Sequence, residues 1–110
     1  MFHSAICFIM ASSSSGSATP KGLASAFPMV VASCIDIYLR GNLPVVDNAG
    51  GQGAAAGLFD GIDIDWEYPG ACGMTCDFRP EDTANFTLLM AEFRKQLDTA
   101  GAEAGKRFDE

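Results

Sequence analysis

The chain has few of the groups that bind metal ions or nucleic acid. Its 110 residues contain a single histidine, His3, and seven Lys and Arg residues against fourteen Asp and Glu residues, which gives a net charge of −7. Because phosphates are bound through Lys and Arg, this balance argues against nucleic acid and anionic lipid as partners. No apolar run reaches the roughly 18 residues that a membrane span needs, so no membrane partner is expected.

The cysteines are too few and too scattered to predict a zinc site. Cys7, Cys34, Cys72 and Cys76 form no C-x-x-C pair and no Cys/His spacing typical of zinc ligands. Cys34 belongs to an apolar helical stripe, where a buried thiol is the simpler interpretation. Cys72 and Cys76 share a Gly-rich loop, and an oxidising compartment would favour a local disulfide between them. The sequence leaves that bridge open.

Residues 1–26 have little regular pattern and are not assigned to a domain. A short apolar run from Ala5 to Ala11 is followed by small residues, which faintly resembles a secretory signal but lacks a preceding Lys or Arg. An arbitrary start to an incomplete chain explains these residues equally well. The stretch from Ser12 to Ser17 has low complexity and is expected to be disordered. Residues 1–26 are therefore expected to be disordered or foreign to the domain that follows.

Apolar periodicity predicts two helices. The first is expected from Phe27 to Gly41, because apolar residues recur there at steps of three and four. The second is expected from Pro80 to Gly101, since proline suits a first turn and glycine suits a helix exit. Their apolar stripes are Phe27, Val30, Val31, Cys34, Ile35 and Tyr38 in the first helix, and Phe86, Leu89, Met90, Phe93 and Leu97 in the second.

Between the helices the sequence predicts a long loop and one strand. Residues 42–57 are rich in Gly and Ala and are not expected to hold a regular element. Their GQGAAA stretch lacks the following helix that a dinucleotide site requires. Residues 59–68 are predicted to form the strand. The order of helix, loop, strand, loop and helix indicates an alternating α/β architecture.

The predicted strand carries an unusual row of acids. In the stretch LFDGIDIDWEYPG, Asp63, Asp65 and Glu67 are spaced by two residues and so share one face. Neighbouring side chains on that face begin about 7 Å apart, where two negative charges repel by on the order of 2 kcal/mol. A fold gains no stability from such a row. It indicates a site in which one acid is kept protonated by its neighbours, as a general acid requires. The opposite face holds Ile62, Ile64 and Trp66, which are expected to be core residues.

Other interpretations of the acids stay open. A solvated strand face is one, although alternation with Ile and Trp would make an unusual exposed edge. A calcium loop is excluded, because Ile62 would occupy a ligand position in one register and Tyr68 a glycine position in the other. A plain Mg²⁺ or Mn²⁺ carboxylate cluster remains an alternative. Asp60 lies three residues before Asp63 and is out of phase with the row.

The stretch DGIDIDWEYPG resembles the D-G-x-D-x-D-W-E-Y-P signature of glycoside hydrolase family 18, the chitinases and their relatives. Its D-x-x-D-x-D-x-E core matches Asp60, Asp63, Asp65 and Glu67. The flanking stretches SCIDIYLRGNLP and RPEDTANFTLLMAEFRKQL are similar to those of bacterial-type members. This resemblance extends from about Val31 to Gly101.

The resemblance implies that residues 27–110 are part of a (β/α)8 TIM barrel. The acid strand would be the fourth strand of that barrel, with the acids at its C-terminal end. A complete barrel needs about 250 residues. In the family, a strand with a Ser-x-Gly-Gly-Trp-like motif precedes the first helix, and no such sequence is found here. The chain is therefore interpreted as a fragment, which is expected to have no measurable activity alone.

The resemblance also implies a role for each acid. Glu67 would protonate the glycosidic oxygen, and Asp65 would orient the substrate's N-acetyl group so that its carbonyl oxygen attacks the anomeric carbon. Asp63 would support Asp65, and Asp60 would support the motif structurally. Tyr68 is a candidate for substrate binding. The implied mechanism uses no metal and no cofactor.

Two classes of function follow from the resemblance. The first is a secreted enzyme that cleaves chitin or chitooligosaccharides, with endo-acting cleavage of N-glycan cores as a variant within that class. The second is a non-catalytic chitin-binding or lectin-like relative. Such relatives usually lose the acid that corresponds to Glu67, which is present here, so the enzyme is the preferred interpretation.

Overall fold

A helix separates the two strands of the parallel sheet along the chain, which agrees with the predicted α/β class. The computed structural model describes residues 4–8, 20–74, 76 and 78–110, and within these ranges the side chains from residue 24 onward. The elements are β1 (Ser4–Phe8), α1 (Pro20–Tyr38), β2 (Leu43–Val46), β3 (Ala49–Gly51), β4 (Gly61–Asp65) and α2 (Asp82–Ala104).

β4 lies between two parallel neighbours. β1 pairs with it along its full length, from Ser4 beside Gly61 to Phe8 beside Asp65. On the opposite edge Asp109 forms a parallel bridge to Gly61. Its hydrogen bonds run from Ile62 N–H to Asp109 O at 2.9 Å and from Asp109 N–H to Asp60 O at 3.1 Å. Parallel chain segments joined through helices form the repeating unit of a parallel α/β barrel.

The two helices pack over one face of β4. Their apolar stripes form a single core with Ile62, which is 1% exposed. On both helices the buried positions recur mainly at four-residue steps, as the periodicity predicts. Burying one such side chain contributes about 1.5–3 kcal/mol. The other buried apolar members are Phe27, Val31, Ile35, Leu39, Leu89, Phe93, Leu97, Ala100 and Phe108.

The N-terminal part of the chain differs from the prediction. Disorder over residues 1–26 is wrong for Ser4–Phe8, which form β1, and for the first turns of α1, which begins at Pro20. A strand therefore does precede the first helix. The apolar run in this region is too short for periodicity to distinguish a strand from another apolar segment. The stretch from Ser12 to Ser17 lies outside the described residues.

The predicted loop over residues 42–57 contains a regular element. β2 and β3 pair as an antiparallel hairpin within it. The two residues of its turn, Asp47 and Asn48, have φ angles of 49° and 65°. Asn and Asp tolerate positive φ better than other residues, and a pair of them is typical of a two-residue hairpin turn. The prediction of a loop overlooked this pair.

The helix ends also differ from the predicted ones. α1 ends at Tyr38, three residues before Gly41, which has φ 74° in the turn that follows. α2 begins at Asp82 and continues past Gly101 to Ala104. Its left-handed cap is Gly105, with φ 70°, and Lys106 N–H donates to Gly101 O at 2.9 Å. This ending is a Schellman motif. A glycine does end α2, as predicted, but it is Gly105, one helical turn after the predicted Gly101. Within the described ranges no helix is long and apolar enough to cross a membrane.

Candidate active site

β4 divides its side chains between two environments. Asp63 and Asp65 are exposed, whereas Ile62 is buried and Ile64 is half-buried against the core. The alternation predicted from the sequence is therefore present. Because the core that α1 and α2 build lies on the Ile62 side, the acids lie on the face that these helices leave uncovered. In a parallel barrel the face away from the helices is the interior.

The acid row continues past the end of the strand. β4 was predicted to extend to Tyr68, but it ends at Asp65. Glu67 follows two residues later and is exposed, and its peptide bond to Tyr68 is cis. Tyr68 is also on the surface, with 53% of its area exposed. Glu67 and Tyr68 are thus both accessible at the C-terminal end of β4.

Trp66 belongs to the packing of the core. It is half-buried against the apolar cluster, and its ring meets that of Phe86 edge to face, with centroids 6.0 Å apart and planes at 77°. Such a contact contributes about 0.5–1.5 kcal/mol beyond area burial. This agrees with the expectation that Trp66, on the opposite face from the acids, is a core residue. It also fastens the end of β4 to α2.

Asp60 lies at the other end of β4 from Glu67. Its Oδ1 atom accepts a hydrogen bond from Lys106 Nζ at 2.7 Å, and its carbonyl oxygen accepts one from Asp109 N–H. These contacts join the start of β4 to the chain that follows α2. Lys106 and Asp109 therefore hold Asp60 at the start of β4, at the opposite end of the strand from Glu67.

The acids do not converge on a common point. Among the residues described, no three His, Cys, Asp or Glu side chains lie close enough together to hold a metal ion. This is the arrangement expected of a row spaced along an extended strand, where neighbours on one face begin about 7 Å apart.

A tethered loop joins the acids to α2. Cys72 and Cys76 are linked by a disulfide within it. Thr83 Oγ1 donates to Pro69 O at 3.3 Å, which attaches the start of the loop to the first turn of α2. Gly70 has φ 80°, and a Cβ there would lie 2.6 Å from Thr83 Oγ1. This attachment was not predicted from the sequence, although a Pro-Gly pair is a turn signal.

Comparison with known proteins gives consistent matches to chitinases. Chitinase A1 of Niallia circulans is 51% identical over 51 residues, which are 46% of this chain and 7% of that protein. Chitinase 63 of Streptomyces plicatus is 49% identical over 42 residues, or 38% of this chain and 7% of that protein. The solved catalytic domain of psychrophilic chitinase B from Arthrobacter TAD20 superimposes with a TM-score of 0.72 at 50% identity, covering 76% of this chain.

The family model described as "Glycosyl hydrolases family 18" matches residues 27–108, most of the chain. The chain belongs to glycosyl hydrolase family 18. Its strands and helices are accordingly part of the family's TIM barrel, as expected from the DGIDIDWEYPG stretch. The chain covers 20% of the Arthrobacter chain, and each curated match spans only a small part of its relative.

Proposed function

We propose that residues 27–110 are part of a family 18 catalytic domain that hydrolyses β-1,4-linked N-acetylglucosamine polymers. The substrate would be chitin or a chitooligosaccharide, as the names of the chitinase relatives suggest. The reaction would retain the configuration at the anomeric carbon and use neither a metal nor a cofactor. A protein acting on an extracellular polymer would also be secreted, and the Cys72–Cys76 disulfide fits such a compartment.

In this proposal the substrate supplies its own nucleophile. Glu67 gives a proton to the glycosidic oxygen while the bond from that oxygen to the anomeric carbon breaks. The carbonyl oxygen of the N-acetyl group attacks the same carbon, and Asp65 holds the amide in position. Water then opens the cyclic intermediate, and its proton returns to Glu67. Asp63 supports Asp65, Asp60 supports the motif from the opposite end of β4, and Tyr68 contacts the sugar.

The observation that carries the proposal is the exposed acid row at the C-terminal end of β4. Asp63, Asp65 and Glu67 are all accessible, and they lie on the face of the strand opposite its buried Ile62. In TIM-barrel enzymes the active site is built at the C-terminal ends of the strands. A carboxyl group positioned there can reach a bound polymer, and positioned proton transfer contributes about 10²- to 10⁴-fold to the rate.

The test uses a grafted domain. Residues 27–108 of this chain replace the matching segment of the Arthrobacter catalytic domain, which supplies the remaining strands. We expect the grafted domain to cleave N-acetylated chitooligosaccharides and to release the β-anomer first, as followed by NMR. Glu67→Gln should lower kcat by at least about 10²-fold because it removes the proton donor.

The control is Glu81→Gln, a carboxyl-to-amide change at the exposed residue just before α2, outside the acid row and without a side-chain capping hydrogen bond. It should leave kcat within about twofold, since surface substitutions are usually close to neutral. Near-normal turnover by Glu67→Gln would remove Glu67 from the role of proton donor. An inactive grafted domain that nevertheless binds chitooligosaccharide would favour the non-catalytic chitin-binding relative.

A further inference from the structure

The disulfide loop is packed directly against the backbone of Glu67. A Cβ atom built on Gly73 would overlap the carbonyl oxygen of Glu67 and would lie 2.9 Å from its carbonyl carbon. It would also lie 3.4 Å from Tyr68 N. Real side chains do not approach backbone atoms this closely, so residue 73 must be glycine for this arrangement to exist.

Glycine is needed at position 73 because a side chain has no room there. Gly73 is not among the glycines with positive φ, so an L-residue could adopt its backbone conformation. What an added methyl group meets is the peptide group that joins Glu67 to Tyr68, which is backbone and cannot rotate away. A substitution at Gly73 must therefore displace either the loop or Glu67 itself.

One disulfide and two hydrogen bonds limit how far the loop can move. The Cys72–Cys76 disulfide closes the chain locally around Gly73. Upstream of it, Ala71 N–H donates to Tyr68 O at 3.4 Å, and Pro69 O accepts from Thr83 Oγ1. Gly73 therefore lies inside the ring that the disulfide closes, and the chain leading into that ring is attached to α2. Within the ring, Gly73 packs against the backbone of Glu67.

We propose that the Cys72–Cys76 loop, acting through Gly73, fixes the backbone position of Glu67 and so aims its carboxyl group. The inference rests on the proposed function, since it assumes that Glu67 is the proton donor. Gly73, Cys72 and Cys76 are positioning residues in this scheme and do not contact the substrate. Glu67 lies beyond the end of β4, where strand hydrogen bonds no longer hold it, so it needs such a support.

The first arm of the test is Gly73→Ala in the grafted domain. A displacement near 1 Å in a reacting group can lower the rate about 10²-fold, so kcat on chitooligosaccharides should fall about 10- to 100-fold. KM should change by less than about threefold, because substrate binding draws on other parts of the barrel.

The choice of substrate separates positioning from general damage. In a 2,4-dinitrophenyl chitobioside the leaving group departs without being protonated. A misplaced Glu67 carboxyl should therefore lower the rate of its release only slightly. We expect Gly73→Ala to keep at least about half of the first-turnover rate of dinitrophenolate release, because this step comes before the water proton returns to Glu67, whereas loss of structure would lower the rates on both substrates equally. Glu67→Gln should show the same selectivity in a stronger form.

The matched control is Gly105→Ala. It is also a glycine-to-alanine change, at a position with φ 70° and no atom within 4 Å of the added Cβ. It should destabilise the end of α2 without altering the ratio of kcat on chitooligosaccharides to the first-turnover rate of dinitrophenolate release. The double variant Cys72→Ser/Cys76→Ser, and reduction of the disulfide with dithiothreitol, should show the selective loss of Gly73→Ala in weaker form.

The outcomes separate the two proposals. Consider an active grafted domain in which Glu67→Gln is selectively impaired. If Gly73→Ala and the double variant then match the parent on both substrates, the positioning role is wrong. Equal loss on both substrates overturns it too. If Glu67→Gln itself is unimpaired, the proposed function fails first. Should Gly73→Ala not fold, the double variant decides by the same ratio.

Discussion

For single residues, the position along β4 decides whether a side chain enters the apolar core or faces away from it. Ile62 is 1% exposed and packs against the helices, while the adjacent Asp63 faces the other way and is exposed. A shift by one residue would turn Asp63 into the apolar core, at a cost of several kcal/mol for an unpaired charge. The buried apolar residues of β4 therefore fix the direction in which the acids point.

Lys106 is the residue whose contribution to stability is most directly testable. Its Nζ atom lies 2.7 Å from Asp60 Oδ1, with the two side chains 38% and 37% exposed, and 4.8 Å from the ring centroid of Phe108. Because both contacts are partly solvated, Lys106→Gln should lower the free energy of unfolding of the grafted domain by only about 1 kcal/mol.

Urea denaturation of the grafted domain measures this change. Lys106→Arg should retain most of the stability, and replacement of the exposed Lys95 by Gln serves as the control. A loss above about 3 kcal/mol would mean that the pair behaves as a buried ion pair, contrary to its exposure.

Among the helices and strands, the sequence predicts those that pack an apolar face against the core. The helices were found because their buried residues repeat at helical steps, as Leu89, Phe93 and Leu97 do. The acid strand was found because Ile62 and Ile64 alternate with acids. β1 has no comparable signal, since a five-residue strand is fixed by its partner β4 and not by its own sequence. The contact between Gly73 and Glu67 is tertiary, so no local pattern reveals it.

The hairpin depends on its turn and not on packing. Val45 and Val46 in β2 are 67% and 64% exposed, so little apolar burial holds the two strands together. Asn48 has φ 65°, where a β-branched residue is strained. We expect Asn48→Val to destabilise the hairpin by about 1–2 kcal/mol, whereas Asn48→Gly should leave it as stable or slightly more so.

Hydrogen exchange of the hairpin amides, followed by mass spectrometry in the grafted domain, detects this change locally. Asn48→Val should speed exchange over residues 43–51 and leave α2 unchanged. If Val and Gly at position 48 gave equal protection, the turn would not be what holds the hairpin.

At the scale of the whole molecule, the described part of the chain covers β4 on one face only. α1 and α2 bury Ile62, but the face with Asp63 and Asp65 is open. The edge of β4 away from β1 is paired at Gly61 alone among the described residues. In a closed barrel every strand has two neighbours and the acids face a shared interior. The acids therefore need the rest of the barrel to form an enclosed site, and the described part of this chain contributes β4 and its parallel neighbour β1.

This leads to an expectation for the 110 residues expressed alone. Open strand edges pair readily with other chains, and helices of this kind draw most of their stability from packing. We expect the isolated chain to unfold without a cooperative transition or to aggregate, and to show no turnover of a chromogenic chitooligosaccharide. Grafting residues 27–108 into the Arthrobacter domain should restore both properties, because the host supplies the missing neighbours of β4 and the rest of the substrate cleft. Sedimentation, urea unfolding and the chromogenic assay, run on the chain and the grafted domain together, make the comparison. A soluble monomer with a two-state transition, and with turnover that Glu67→Gln abolishes, would show that the acid row needs no further barrel strands to work.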